Sequence, residues 1–210
     1  LGGPGEGALL VAEQLGLDER LREGRAVQRQ EGAVAPARQL VDGVRQHLLA
    51  DPSYQEGMVR FTENHDEPRA AAAFPSGKGR AAAAAILTLP GAKLLHEGQF
   101  EGRKVRLPVF LGRRPEEPVD QDLAAFYRDL LKAANNDVFR NGQWRLCERS
   151  GWPDNPSYRN LLTWCWVKAE ERRLVVVNFS GGTSQALVHV PWDELRGRTW
   201  RLTDALSGEV

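Results

Sequence analysis

The chain has 210 residues, and 28 Lys and Arg balance 28 Asp and Glu, so its formal net charge at neutral pH is zero. That balance offers neither the basic surface a nucleic acid needs nor an acidic tail for a basic partner. No apolar run approaches the ~20 residues needed to cross a bilayer as a helix, so no membrane partner is expected either. Near the start, Ala8-Leu9-Leu10-Val11-Ala12 is a short apolar run closed by Glu13. Leu9, Leu15, Leu17 and Leu21 suit a short amphipathic helix with Glu13 on its wet face. Residues 24–36 carry no period and read as loop.

From Pro36 to Ala50 the spacing predicts a helix, with Pro36 in its first turn and Leu40, Val41, Val44, Leu48 and Leu49 on one face. His47 falls on this helix as a surface residue. Asp51-Pro52 ends the helix, because proline disfavours helical backbone in the residue before it. A short helical turn over Ser53–Met58 then leads into a strand, Val59–Thr62. After the Pro75-Ser76-Gly77-Lys78-Gly79 loop, an Ala-rich helix runs from Arg80 to Leu89. A second strand covers Lys93–His96, and Arg103 to Pro118 is an extended, Pro-punctuated loop. Asp120 is a candidate N-cap for a helix reaching Ala134, with Leu123, Phe126, Tyr127, Leu130 and Leu131 as its apolar stripe.

From Asn141 the hydrophobic period changes to two. Gln143–Leu146, Leu161–Trp166 and Arg173–Phe179 read as strands, and the polar segment Lys168–Arg172 makes the last two a hairpin. Ala186–Val190 and Thr199–Leu202 add two more. Cys147 and Cys165 lie in this region and are expected to be buried free thiols rather than a disulfide or metal pair. Trp144, Trp164, Trp166, Trp192 and Trp200 could offer aromatic faces to a sugar; core aromatics with satisfied indole N–H groups are the preferred reading.

The most informative stretch is Phe61-Thr62-Glu63-Asn64-His65-Asp66-Glu67-Pro68-Arg69. It sets an amide, an imidazole and a carboxylate in a row where an apolar segment (Met58, Val59, Phe61) gives way to a loop. Read alone, such a triplet is an ordinary polar turn, since all three residue types tolerate turns. It resembles, however, the Phe-x-x-Asn-His-Asp region that closes strand seven of the barrel in the α-amylase family of glycosidases (glycoside hydrolase family 13). Some thirty residues on, Leu89-Pro90-Gly91-Ala92-Lys93-Leu94-Leu95-His96-Glu97-Gly98-Gln99-Phe100-Glu101-Gly102 looks like the same family's strand-eight region. The order, the spacing and the Ala-rich helix between the two agree. The likeness covers roughly Arg38 to Val210, while the first thirty-odd residues match poorly.

The resemblance implies an α/β fold: the C-terminal portion of a TIM (β/α)8 barrel over residues 1–140, with the first ~35 less certain, then a truncated antiparallel β-sandwich domain over 141–210. A whole barrel takes about 250 residues, so a fragment of a longer enzyme is expected. Neither the Gly-rich start without an initiating Met nor the end at Leu206-Ser207-Gly208-Glu209-Val210 reads as a natural terminus. No secretory signal is visible; the cytoplasm is the favoured setting, and export stays open.

By the same resemblance, Asp66 is the carboxylate that holds sugar 2- and 3-hydroxyls and stabilises the transition state, and His65 and Asn64 bind substrate. Glu13, about fifty residues before Asp66, is an alternative candidate for the general acid/base, at the end of an apolar run like that of strand five. The partner implied is an α-glucan or oligosaccharide, with no cofactor and no metal. Retaining cleavage needs two carboxyl groups about 5–5.5 Å apart, one of them a nucleophile. The family's nucleophile segment, Gly-Phe/Leu-Arg-x-Asp, does not occur in these residues. The chain is therefore expected to be inactive alone. Hydrolysis and glucosyl transfer share one covalent intermediate and are not separable here. The other reading is a non-catalytic carbohydrate-binding or structural relative.

Overall fold

The computed structural model describes residues 37–74, 78–108, 110, 112–197, 199 and 201–208; Glu13 and Trp200 lie outside them. The first helix, α1, runs Ala37–Leu48 and buries Val41, Val44 and Leu48 on one face, as the period requires. Leu49 falls just past its end and is 58% exposed. His47 is half-buried rather than free on the surface, its ring edge-on to Tyr54 at a centroid distance of 5.7 Å. Asp51 caps a second short helix, α2 (Pro52–Glu56), by accepting from the Ser53 amide at 2.8 Å, with Pro52 in the first turn. Both features satisfy or remove backbone donors that a helix start leaves unpaired.

Two short strands follow, β1 (Val59–Arg60) and β2 (Ala92–Lys93), joined by α3 (Ala70–Ala73) and α4 (Lys78–Thr88). They pair in parallel with Val59 opposite Ala92 and Arg60 opposite Lys93. The pairing is shorter than the four-residue strands expected at Val59–Thr62 and Lys93–His96, because both chains leave the ladder for polar loops whose side chains take over the hydrogen bonding. Gly91 admits β2 to this position: its φ is +96°, and a Cβ there would stand 2.4 Å from the Met58 carbonyl oxygen. Only glycine tolerates both demands. Helix α5 (Gln121–Ala134) is capped by Asp120, which accepts from the Leu123 amide at 2.9 Å. It packs Tyr127 and Leu130 against Ala83, Ile86 and Leu87 of α4.

After α6 (Asp137–Asn141) the chain becomes antiparallel. Strands β3 (Gln143–Leu146), β5 (Leu161–Lys168) and β6 (Glu171–Asn178) form one sheet in the order β3-β5-β6. Lys168 pairs with Glu171 across the hairpin expected there, and Ala169 in the turn takes a positive φ of 49°. A separate two-stranded sheet pairs β4 (Glu148–Ser150) with β7 (Leu187–His189). The sequence reading missed β4. The strand expected at Thr199–Leu202 is not formed by residues 199, 201 and 202, which have no ladder partner among the described residues.

One apolar core joins the helices to the sheet. Val41, Leu48, Ala81, Ala82 and Ala85 pack with Val138, Leu162, Trp164, Trp166 and Phe179. The alanines let α4 lie close to the tryptophans of β5. Both indole N–H groups, of Trp164 at 3.2 Å and Trp166 at 2.7 Å, donate to one acceptor, the carbonyl oxygen of Thr88 in the last turn of α4. Trp164, Trp166 and Trp192 are buried, which takes three of the five tryptophans considered above out of any sugar-stacking face. Cys147 and Cys165 are free and buried, as expected. The architecture is thus mixed, a parallel strand pair flanked by helices and an antiparallel region, and its core crosses the expected boundary between residues 140 and 141.

Candidate functional site

Asn64, His65 and Asp66 emerge at the C-terminal end of β1, beside the loop that leaves β2. The Asn64 side-chain oxygen accepts from the amides of Asp66 at 2.8 Å and Glu67 at 3.0 Å, so its amide group builds a local turn. That turn leaves the next two side chains open to solvent, His65 69% and Asp66 71% exposed, with Nε2 and Oδ2 3.2 Å apart. Arg106 on the following loop donates to the His65 carbonyl oxygen at 3.4 Å. A carboxylate and an imidazole presented together on one turn can accept from and donate to the vicinal hydroxyls of a sugar ring.

Directly behind this turn lies a set of residues that sequence reasoning did not single out. Glu63 is 1% exposed and Arg69 5% exposed. The Arg69 guanidinium meets Glu63 Oε1 at 3.0 Å. It also donates to the Glu97 carbonyl oxygen at 2.7 Å and stands 2.9 Å from His96 Nδ1. Glu63 Oε2 accepts from the Ala70 amide at 2.5 Å. Burial pushes the Glu63 carboxyl above the usual carboxylate range, against the opposing pull of the Ala70 amide, Arg69 and His96. Gln99 adds a second link between the loops, donating to Thr62 Oγ1 at 3.0 Å and to the Tyr127 hydroxyl at 2.9 Å while accepting from the His96 amide at 3.1 Å. Burial raises the Tyr127 phenol above its ordinary value, so at neutral pH it keeps its proton. Glu63 and Arg69 flank the triplet, and His96 and Gln99 fall in the stretch that resembles the strand-eight region, but nothing in either stretch marks these residues as partners of one another.

Glu13 falls outside the described residues, so its place relative to Asp66 is not part of this geometry. Among the described residues no cluster of His, Cys, Asp and Glu could hold a metal ion, and no helix is long and apolar enough to cross a membrane. A cavity of about 1270 Å³ opens at the other end of the strand pair, lined by Pro90, Gly91, Lys93, Lys132, Trp144 and Trp166 among others. It includes none of the triplet. Lys93 in it donates to the carbonyl oxygens of Leu89 and Gly91, and burial lowers its ammonium to a pKa of about 8.

No protein-family profile matches the chain. The α-amylase MalA of Haloarcula japonica is 31% identical to it over 136 residues, which are 62% of this chain and 19% of that protein. Among solved structures, the maltogenic α-amylase AmyB of Thermotoga neapolitana matches with a TM-score of 0.50 and 25% identity, over 67% of this chain and 32% of that one. A debranching enzyme of Nostoc punctiforme matches at 18% identity with a TM-score of 0.49, over 68% of this chain and 29% of that one. The chain thus spans about a fifth of the curated relative and a third of the first solved one.

Proposed function

From the premise that this chain belongs to the α-amylase family of glycosidases, we propose that it supplies the strand ends that grip the reacting ring of an α-linked glucan or oligosaccharide. The observation that carries this reading is the placement of Asn64, His65 and Asp66 together at the C-terminal end of a parallel strand, beside the loop of its parallel neighbour. In a barrel of alternating strands and helices, this is the end that carries the chemistry. Residues up to 140 are read as part of such a barrel and residues from 141 as the β domain that follows it.

Asp66 holds two adjacent ring hydroxyls and His65 hydrogen-bonds the same sugar. Cleavage with retention passes through an oxocarbenium-like transition state. A contact that tightens as the ring flattens lowers the barrier, whereas one that binds both states equally does not. Asn64 serves the site by shaping the turn. The nucleophilic aspartate belongs to another segment of the parent enzyme, and Glu13 of this chain is a candidate for the general acid/base. The 210-residue chain by itself is therefore inactive, since no group here opens the covalent route.

The test is a titration of the chain with maltotetraose, followed by NMR at Asp66 and the His65 ring, beside an assay for reducing sugar released from starch. The expected result is a shift at those two residues that Asp66→Asn and His65→Ala abolish, with no sugar release above a heat-killed control. Shifts confined to the tryptophan-bearing sheet, or none at all, overturn the binding reading. Sugar release overturns the assignment of the nucleophile to another segment.

A further inference from the structure

We propose that Arg69 and Glu63 are the positioning residues of this site: the Arg69 guanidinium clamps the loop after β1 to the loop after β2, and Glu63 holds that clamp in place. The proposal rests on the reading that Asp66 and His65 face the sugar, and it adds what fixes them there.

Three observations point the same way. The first is the use Arg69 makes of its fork. Its Nε reaches the Arg103 carbonyl oxygen at 3.4 Å, one terminal nitrogen reaches His96 Nδ1 at 2.9 Å, and the other reaches both Glu63 and the Glu97 carbonyl oxygen. Three of the four acceptors lie on the second loop. A planar guanidinium can serve them together, whereas a lysine ammonium is a point charge on a flexible stem. The second is that one carboxylate closes the first loop on itself. Glu63 receives the Ala70 amide through Oε2 and Arg69 through Oε1, so residues 64–69, which include the triplet, are bracketed by a single buried side chain. The third is the clearance at Gly98. Its φ is +80°, and a Cβ there would stand 2.8 Å from the Arg69 guanidinium and 2.6 Å from Arg103 Cγ, so the second loop is shaped to let the clamp in.

The clamp also assigns a proton. An arginine can only donate, so His96 Nδ1 accepts from it and the neutral ring carries its proton on Nε2. Glu63 Oε1 lies 3.3 Å from the same Nδ1, so a ring protonated there would turn to Glu63 and away from Arg69. The ionisable groups facing Glu63 are Arg69, which is charged, and the His96 imidazole, and Tyr127 of α5 also feels the Glu63 charge.

Amide exchange and imidazole ¹⁵N spectra of the 210-residue chain test this with Glu63→Gln, Arg69→Lys and Gly98→Ala, the last of which leaves both charges in place. The expected result is exchange at the Asp66 and Glu67 amides faster by about tenfold in each variant, with β5 and β6 amides unchanged. In the unaltered chain, His96 Nδ1 should show the shift of an unprotonated acceptor. Unchanged exchange at Asp66 and Glu67 overturns the proposal. So does an equal loss across β5 and β6, which would make the pair a general stabiliser, or a His96 ring with its neutral-state proton on Nδ1. If maltotetraose fails to bind while the exchange pattern holds, the functional reading falls and the clamp stands.

Discussion

The loop end of the parallel strand pair and the antiparallel sheet solve the same problem with different materials. In the sheet, β5 buries all of Leu161, Leu162, Thr163, Trp164, Cys165 and Trp166, and order comes from apolar contact in a shared core. At the loop end the strands are only two residues long, and order comes from a buried ion pair and a glutamine bridge. Apolar packing is non-directional and tolerates small adjustments. A buried charge pair holds only if every partner is present, because a lone buried charge is costly. A site that must fix two exposed side chains gains aim from the second kind of order and stability from the first.

The comparison is broken most severely by Trp164→Ala. This residue is fully buried and shares the Thr88 carbonyl with Trp166. A loss of about 4 kcal/mol in denaturant unfolding is expected, from the cavity and the lost transfer energy together. Because the core is shared, the fall should show at the β1 loop as well as in the sheet.

Arg69→Met comes next, at about 3 kcal/mol near neutral pH, because it strands the Glu63 carboxylate in the interior. Its pH dependence has a definite sign. Burial already raises the Glu63 carboxyl above its ordinary value of 4.5, and Arg69 pulls the other way. Without Arg69 the folded state keeps the Glu63 proton to higher pH than the unfolded chain does. Above the ordinary value the unfolded state then binds fewer protons, so stability falls as pH rises. Denaturation midpoints of the variant and the parent should converge towards about pH 4 and diverge towards pH 7.

Asp120→Ala removes the cap of α5 and should cost about 1 kcal/mol, measured by thermal unfolding, with no change in the exchange of the Asp66 amide. The last effect is a slope, absent at neutral pH. The Lys93 ammonium is lowered from 10.5 to about 8 by burial and the neighbouring Arg60 charge. Between those values the unfolded chain binds a proton that the folded one has released, so this group makes stability rise with pH. Lys93→Met should flatten that part of the curve above about pH 8, read as the difference between the two melting profiles.

Local chemistry made much of the fold legible in advance. The cap at Asp120 is read from residue type and position, and the Lys168 to Glu171 hairpin from a polar break between two apolar runs; at Asp51 the sequence marked only the end of α1, and the cap it gives α2 came from the structure. The turn-forming triplet was legible for the same reason. What stayed hidden depends on partners far along the chain. Arg45 sits on the apolar face of α1 and is buried because it donates to the Cys147 carbonyl oxygen at 2.8 Å and pairs with Glu148 at 2.5 Å, more than a hundred residues away. Glu63 and His96 are 33 positions apart, and neither carries a mark in sequence that it will meet the other. The strand at Thr199–Leu202 failed in the other direction: alternation there suggested pairing, but the described residues of that stretch find no neighbouring edge.

The single carbonyl of Thr88 that receives two indole groups has a consequence for how relatives of this chain could exchange parts. The helix that carries this carbonyl links the two parallel strands, while both donors come from the antiparallel sheet beyond residue 141. A chimera joined at that boundary would inherit the acceptor from one parent and the donors from the other. With leucines in place of the tryptophans, a buried oxygen would be left short of its donors and the space beside the alanines of α4 would be the wrong shape. The seam between the two halves is therefore a matched surface, and exchange across it should succeed only between parents that keep both indoles.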